Sequence, residues 1–286
     1  MKRAICSVLF FLTILFCGYS SAYAGNDNEF ARWNELQTGQ VGYMDTVFQG
    51  TVIQRMKVIY VGTTPHPVGQ SEADRAIVIA LIDKELAPKM ATAVAGTSGS
   101  PVYFKVRKKL RLVGAAAFMF SAFPVKGTIM GVTPIEMMIA GTGTPLTELP
   151  RTLKIENFGE FGIRWLPIYL DQQKLRASAA VGATPASRRP VQGDSVTVHF
   201  PSGGGGICTV TYVHDDRFWA CGHSILRENG EKSVAFPSYR TQITITVYSA
   251  ESSYKMYDRD LEFFGTITRN TSFSIEGKVH AYGQNP

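Results

Sequence analysis

From residue 41 onward the chain is a succession of short runs rich in valine, isoleucine and threonine, each closed by turn formers. That pattern commits it to β-sheet. Thr51-Val52-Ile53, Lys57-Val58-Ile59-Tyr60-Val61 and Ala76-Ile77-Val78-Ile79-Ala80-Leu81-Ile82 read as strands, because branched side chains pack well on a pleated surface and lose rotamer freedom in a helix. Residues 101–104 and 110–114, joined by the basic turn Arg107-Lys108-Lys109, are spaced as a hairpin. Thr133-Pro134-Ile135-Glu136-Met137-Met138 reads as a short helix start, where the missing N–H of proline would be unpaired anyway. Residues 176–192 are rich in Ala, Ser, Pro and Arg without apolar periodicity, and read as a linker. A second strand-rich block follows, through residues 195–200, 207–213, 218–221, 242–248 and 263–267. The expected architecture is mainly β: a β-rich lobe over 25–175, the linker, and a second β-rich lobe over 193–286. Each lobe is expected to be a barrel or sandwich, with a few short helices.

The N-terminus points to export. Lys2 and Arg3 precede an apolar stretch to Cys17, and Ala22-Tyr23-Ala24 offers small residues to a signal peptidase, so residues 1–24 read as a secretory signal peptide. The apolar stretch is short of the ~20 residues a helix needs to span a bilayer. Cys17 is a poor lipidation site, because bulky Phe16 precedes it. Cleavage after Ala24 leaves 262 residues and, without Lys2 and Arg3, a net charge of +4 in place of +6. So small a surplus, with no Lys/Arg block, argues against nucleic acid and allows only weak attraction to an anionic membrane surface. The expected location is the periplasm or the extracellular space.

Two of the four cysteines, Cys6 and Cys17, leave with the signal. Cys208 and Cys221 remain as a disulfide candidate in an exported chain, with a pair of buried free thiols as the alternative. They lie equally far from a hairpin loop centred between His214 and Asp215. No metal is expected, since the histidines and cysteines lack ligand spacing. No cofactor is expected either. The glycine run 203–206 lacks the lysine and threonine of a phosphate loop and reads as a flexible turn, or as a loop close to substrate backbone.

The chemistry concentrates in Gly96-Thr97-Ser98-Gly99-Ser100-Pro101. A serine attacks a carbonyl only if a base takes its proton and N–H groups hold the oxyanion. Gly96 permits backbone angles that turn successive N–H groups inward, so the N–H groups of Gly96 and Ser98 are the candidate oxyanion hole. The same G-x-S-G-x-P pattern surrounds the nucleophile of chymotrypsin-like peptidases, although small residues and proline also make ordinary tight turns. Of five histidines, His223 in Ala220-Cys221-Gly222-His223-Ser224 follows directly on a strand that can hold it rigidly. A structural histidine is the alternative there. His66 between two prolines looks like loop, His214 like a turn, and His199 alternates within a strand. Asp83 ends an apolar strand and is the candidate to orient the imidazole, or else a helix N-cap.

These stretches resemble the SpoIVB (sporulation stage IV B) peptidase family. Gly42-Tyr43-Met44-Asp45-Thr46-Val47-Phe48-Gln49-Gly50 is similar to its GYG-x-TVFQG opening, and the 96–101 turn to its GMSGSP turn. Leu112-Val113-Gly114-Ala115 and Gly131-Val132-Thr133-Pro134-Ile135-Glu136 resemble its IGAV and GVTPIE stretches. Residues 219–226 and 264–271 resemble its A-x-GH segment and its GTI-x-x-N element. The resemblance implies a trypsin-like pair of lobes and a triad of Ser98, His223 and Asp83, the aspartate fifteen residues before the serine. It departs from the family at Thr97, at Ala91-Thr92-Ala93 and at Met44, it reverses the order of the serine and histidine halves, and it has no recognisable PDZ domain. The expected function is a secreted serine endopeptidase acting on protein or peptide. The alternative is a catalytically silent peptide-binding or signalling module on the same fold. An esterase is disfavoured, because the G-x-S-x-G elbow is absent.

Overall fold

The computed structural model describes residues 29–69, 71, 73–82, 93–121, 128–141, 152–155, 159–166, 168–170, 183–226, 232–248 and 253–281. The signal peptide expected over 1–24 and the carboxylate expected at Asp83 lie outside the described residues.

The strands in chain order are β1 (Val41–Val47), β2 (Ile53–Pro65), β3 (Arg75–Leu81), β4 (Val94–Ala95), β5 (Pro101–Val106), β6 (Lys109–Ser121) and β7 (Ile129–Pro134). Helix α1 (Ile135–Ala140) follows, then β8 (Thr152–Ile155), β9 (Gly159–Trp165), β10 (Ile168–Leu170), β11 (Thr184–Pro185) and β12 (Ser195–His199). Last come β13 (Gly205–His214), β14 (Arg217–Ala220), β15 (Lys232–Val247), β16 (Ser253–Asn270) and β17 (Ile275–Val279). The protein is mainly β, in two lobes. In the first, β1-β2-β3-β7-β6-β5 pair in succession and β5 returns to β1, closing an antiparallel barrel of six strands. In the second, β13-β12-β15-β16-β17-β14 pair in succession and β14 returns to β13. Closure leaves neither ring with an unpaired edge.

Alternation explains the interiors. Met44, Met56, Val58, Ile77, Ile79, Val102, Phe104 and Val132 fill the first barrel. Val196, Val198, Cys208, Val210, Phe218, Phe264 and Ile267 fill the second. The hairpin of β5 and β6 has the two-residue turn Arg107-Lys108, with both residues at positive φ, 50° and 67°. This is the twist a two-residue hairpin requires, met here without glycine. Helix α1 ends on Gly141 at φ 67°, whose N–H donates to Met137 O (3.0 Å).

Cys208 and Cys221 are disulfide-bonded, with Cα atoms 5.1 Å apart. The route to that pairing differs from the symmetric hairpin expected. The turn is Asp215-Asp216, one residue further on, with His214 opposite Arg217. A bulge between Val210 and Tyr212 takes up part of the offset. Cys221 then leaves the strand at φ 71° while its N–H reaches Thr209 O (3.2 Å).

The lobe boundary also differs from expectation. β10 already pairs with β13, so the chain has entered the second sheet by Ile168, ahead of the boundary expected at 175. The described part of the expected linker is tied down as well. β11 pairs with β16, and Arg188 holds buried Asp194 through two hydrogen bonds (2.7 and 2.9 Å). In return, the long ribbon of β15 and β16 reaches from the second barrel onto the first. Ile243 and Gly50 exchange backbone hydrogen bonds, and Thr246 Oγ1 donates to Phe48 O (2.8 Å).

Candidate active site

Ser98 lies on a turn whose shape comes from two glycines at positive φ, Gly96 at 89° and Gly99 at 88°. The turn is anchored at both ends. β4, just before it, pairs in parallel with β16 of the other lobe, and β5, just after it, belongs to the first barrel. Inside the turn, Thr97 Oγ1 donates to Val94 O (2.6 Å), and Ser100 N–H donates to Thr97 O (2.9 Å). Ser98 O accepts Thr209 N–H of β13 (2.7 Å), and Thr211 Oγ1 donates to Gly99 O (2.7 Å), so the turn is stitched to the second lobe. Gly99 is required here on two counts. Its φ disfavours a side chain, and a Cβ would stand 2.0 Å from Thr209 O and 2.5 Å from Cys221 N.

That contact with Cys221 brings the serine turn against the strand end that carries His223. Gly222, at φ 71°, packs so closely on β6 that a Cβ would meet Ala115 Cβ at 3.0 Å and Ala116 O at 3.2 Å. Ala116 O is the acceptor of Gly99 N–H (2.7 Å). The two candidate segments therefore converge on the same stretch of β6 from opposite lobes.

Ser98 and His223 are both fully buried, at 0 % exposure. Burial pushes the imidazole down to about 4, partly opposed by its bond to a backbone carbonyl. That bond runs from Nδ1 to Ser224 O (2.6 Å). A carbonyl can only accept, so Nδ1 carries the proton and Nε2 is the basic nitrogen, the tautomer a general base requires. Asn270, on the stretch that resembles the GTI-x-x-N element, fixes the next turn. Its Oδ1 accepts Ile225 N–H (3.1 Å) and its Nδ2 donates to Ser224 Oγ (2.8 Å).

Two parts of the expected machinery are not assembled. Ser98 Oγ has no hydrogen-bond partner among the described residues, so it is not bonded to His223. Gly96 N–H donates to Leu166 O (2.6 Å), so it holds an oxyanion only after that bond breaks. The second expected donor, Ser98 N–H, makes no hydrogen bond to a described residue.

Two neighbours escaped the sequence reading. His66 lies in a loop, as expected, one residue beyond β2, but it is buried, and burial pushes it down to about 3. Its Nε2–H donates to Thr133 Oγ1 (2.9 Å), which donates to Gly222 O (2.6 Å), a buried link from one lobe to the residue before His223. The flanking prolines hid it, because they read as turn formers when the first merely ends a strand. Lys255 is buried on β16, with its alkyl chain against Gly96. Its Nζ donates to Thr46 Oγ1 (2.9 Å), and burial lowers it to about 7. One lysine in a strongly alternating strand gives no sequence signal of burial.

Among the described residues no group of three His, Cys, Asp or Glu is placed to hold a metal, and no helix is long and apolar enough to cross a membrane. Comparison with family models, with curated proteins and with solved structures found no match.

Proposed function

We propose that the protein is an exported serine endopeptidase in which Ser98 attacks the peptide carbonyl, His223 takes and returns the proton, and Asp83 orients the imidazole. The observation that carries the reading is the convergence of two buried groups from different lobes. One is a hydroxyl without a partner, on a glycine-shaped turn. The other is a neutral imidazole with its proton on Nδ1. A buried hydroxyl that forgoes a hydrogen bond costs roughly 1–3 kcal/mol, a cost a purely structural site would avoid by using alanine. The likeness of both segments to the SpoIVB peptidases supports the same assignment, and the disulfide is compatible with an oxidising, exported location.

Catalysis requires Nε2 of His223 to close on Ser98 Oγ, the Nδ1–H to pass from Ser224 O to the Asp83 carboxylate, and the N–H groups of Gly96 and Ser98 to turn to the substrate carbonyl. The imidazolium formed on attack then protonates the leaving amine. Labelling of the mature chain by a fluorophosphonate tests this: Ser98 should be modified, and Ser98→Ala should abolish the label. Absence of label under conditions that modify a control peptidase refutes the enzyme reading. The occupied Gly96 N–H favours a second reading, a silent module that binds extended peptides without cutting them. It predicts peptide binding without turnover, indifferent to Ser98→Ala.

A further inference from the structure

The residue ahead of a scissile bond has three needs in a serine peptidase. Its carbonyl must meet the N–H donors beside the nucleophile, its own N–H must meet a strand carbonyl, and its side chain needs a pocket. Leu166 meets the last two within this chain, and of the first it meets the Gly96 donor, though not Ser98 N–H. Its carbonyl accepts Gly96 N–H (2.6 Å), two residues from Ser98, and its N–H donates to Ala117 O of β6 (3.1 Å). Its side chain is 1 % exposed, in the apolar cluster that includes Val94, Val102 and Ala116. The residues before it continue the pattern. β9 runs antiparallel along β6, with Trp165 opposite Phe118, Arg164 opposite Met119 and Ile163 opposite Phe120. Ile168, two residues on, already pairs with β13 of the second lobe, and its Cδ1 would stand 3.0 Å from a Cβ on Gly96.

We propose that residues 162–166 are a built-in pseudosubstrate. Leu166 takes the place of the substrate residue that supplies the acyl group, and the true substrates are extended peptides with leucine or a similar aliphatic residue at that position, added as an antiparallel strand on β6. The proposal rests on the serine peptidase reading and gives that site a substrate class. It places the chain's own strand on the Gly96 N–H, two residues from a serine that has no exposure. Residue 167 is proline, so the bond after Leu166 is a tertiary amide with a bulky ring on its leaving nitrogen, a poor choice for cleavage.

The test uses a fluorescent peptide, Gly-Ile-Arg-Trp-Leu, and the full mature chain in a Ser98→Ala background, where no chemistry occurs. Fluorescence anisotropy compares Leu166 with Leu166→Gly, whose strand has lost its anchor. Release of the strand should tighten peptide binding at least ~10-fold, by removal of an internal competitor, and a peptide ending in aspartate should lose that binding. Equal affinities, or indifference to the last residue of the peptide, overturn the proposal. Leu166→Ala, a smaller loss from the same cluster, repeats the comparison should the glycine variant not fold. Fluorophosphonate labelling of the Leu166→Gly chain with Ser98 intact, where the strand has lost its anchor, separates the two claims. Labelling without a peptide response retains the enzyme and refutes the pseudosubstrate. A peptide response without labelling retains the occupied site and refutes the enzyme.

Discussion

A histidine with a pKa of about 4 remains an unprotonated base through the whole neutral range. On the proposed mechanism His223 is the base that kcat/KM reports, so the acid limb for peptide hydrolysis should fall near pH 4, well below the 6.5 of an ordinary imidazole. Buried His66, at about 3, adds a consequence for stability. Both imidazoles have pKa values lowered on folding, so the unfolded chain takes up protons that the native state refuses. Their contribution is complete above pH 6.5 and is lost progressively as pH falls toward 4 and then 3. Urea midpoints should drop across that window, and less steeply in His66→Gln. Lys255 acts over a different range. Its pKa falls from 10.5 to about 7, with burial as the cause. Between those values the unfolded lysine is charged and the native one is neutral, so stability rises with pH. Lys255→Met should therefore stabilise the protein at pH 7, by a margin that shrinks to little by pH 10.5, as read from thermal midpoints.

Among the elements, the hairpin of β13 and β14 does the most for the site, since its disulfide ends one residue before Gly222. Changing Cys208 and Cys221 together to serine should cost about 3 kcal/mol, the order expected for a loop of that length, and should slow Ser98 labelling as His223 loses its anchor. Replacing Lys108 by glycine acts the other way. A non-glycine residue at positive φ is strained by roughly 1 kcal/mol, so Lys108→Gly should raise the melting temperature with labelling unchanged. The local elements were legible in the sequence for related reasons. The β5–β6 hairpin, the strand at 76–82, the start of α1 and the cysteine pair each follow from residues close together in the chain. What escaped depends on partners far apart. β10 passes to the second sheet because Gly205, Gly206 and Ile207 offer it a ladder, and nothing in Ile168-Tyr169-Leu170 announces that choice. Ser98 and His223 stood out by their motifs, whereas Leu166 acquires its meaning only from Gly96 and Ala117, seventy and forty-nine residues earlier.

Over the whole molecule the lobes meet through backbone and through buried side chains. The chain from His66 through Thr133 to the Gly222 carbonyl is one such tie, and Thr133→Val should break it at a cost of roughly 1–3 kcal/mol, seen as a lower urea midpoint together with slower labelling. The parallel pairing of β4 with β16 is another tie of the same kind. Because the strand that leads into Ser98 finds its partner in the opposite half of the gene product, the two halves are not modules that can be exchanged or expressed apart. A polypeptide ending before β16 would lack the template that sets its own Ser98 turn, and would recover it only when the complementary fragment was supplied in trans.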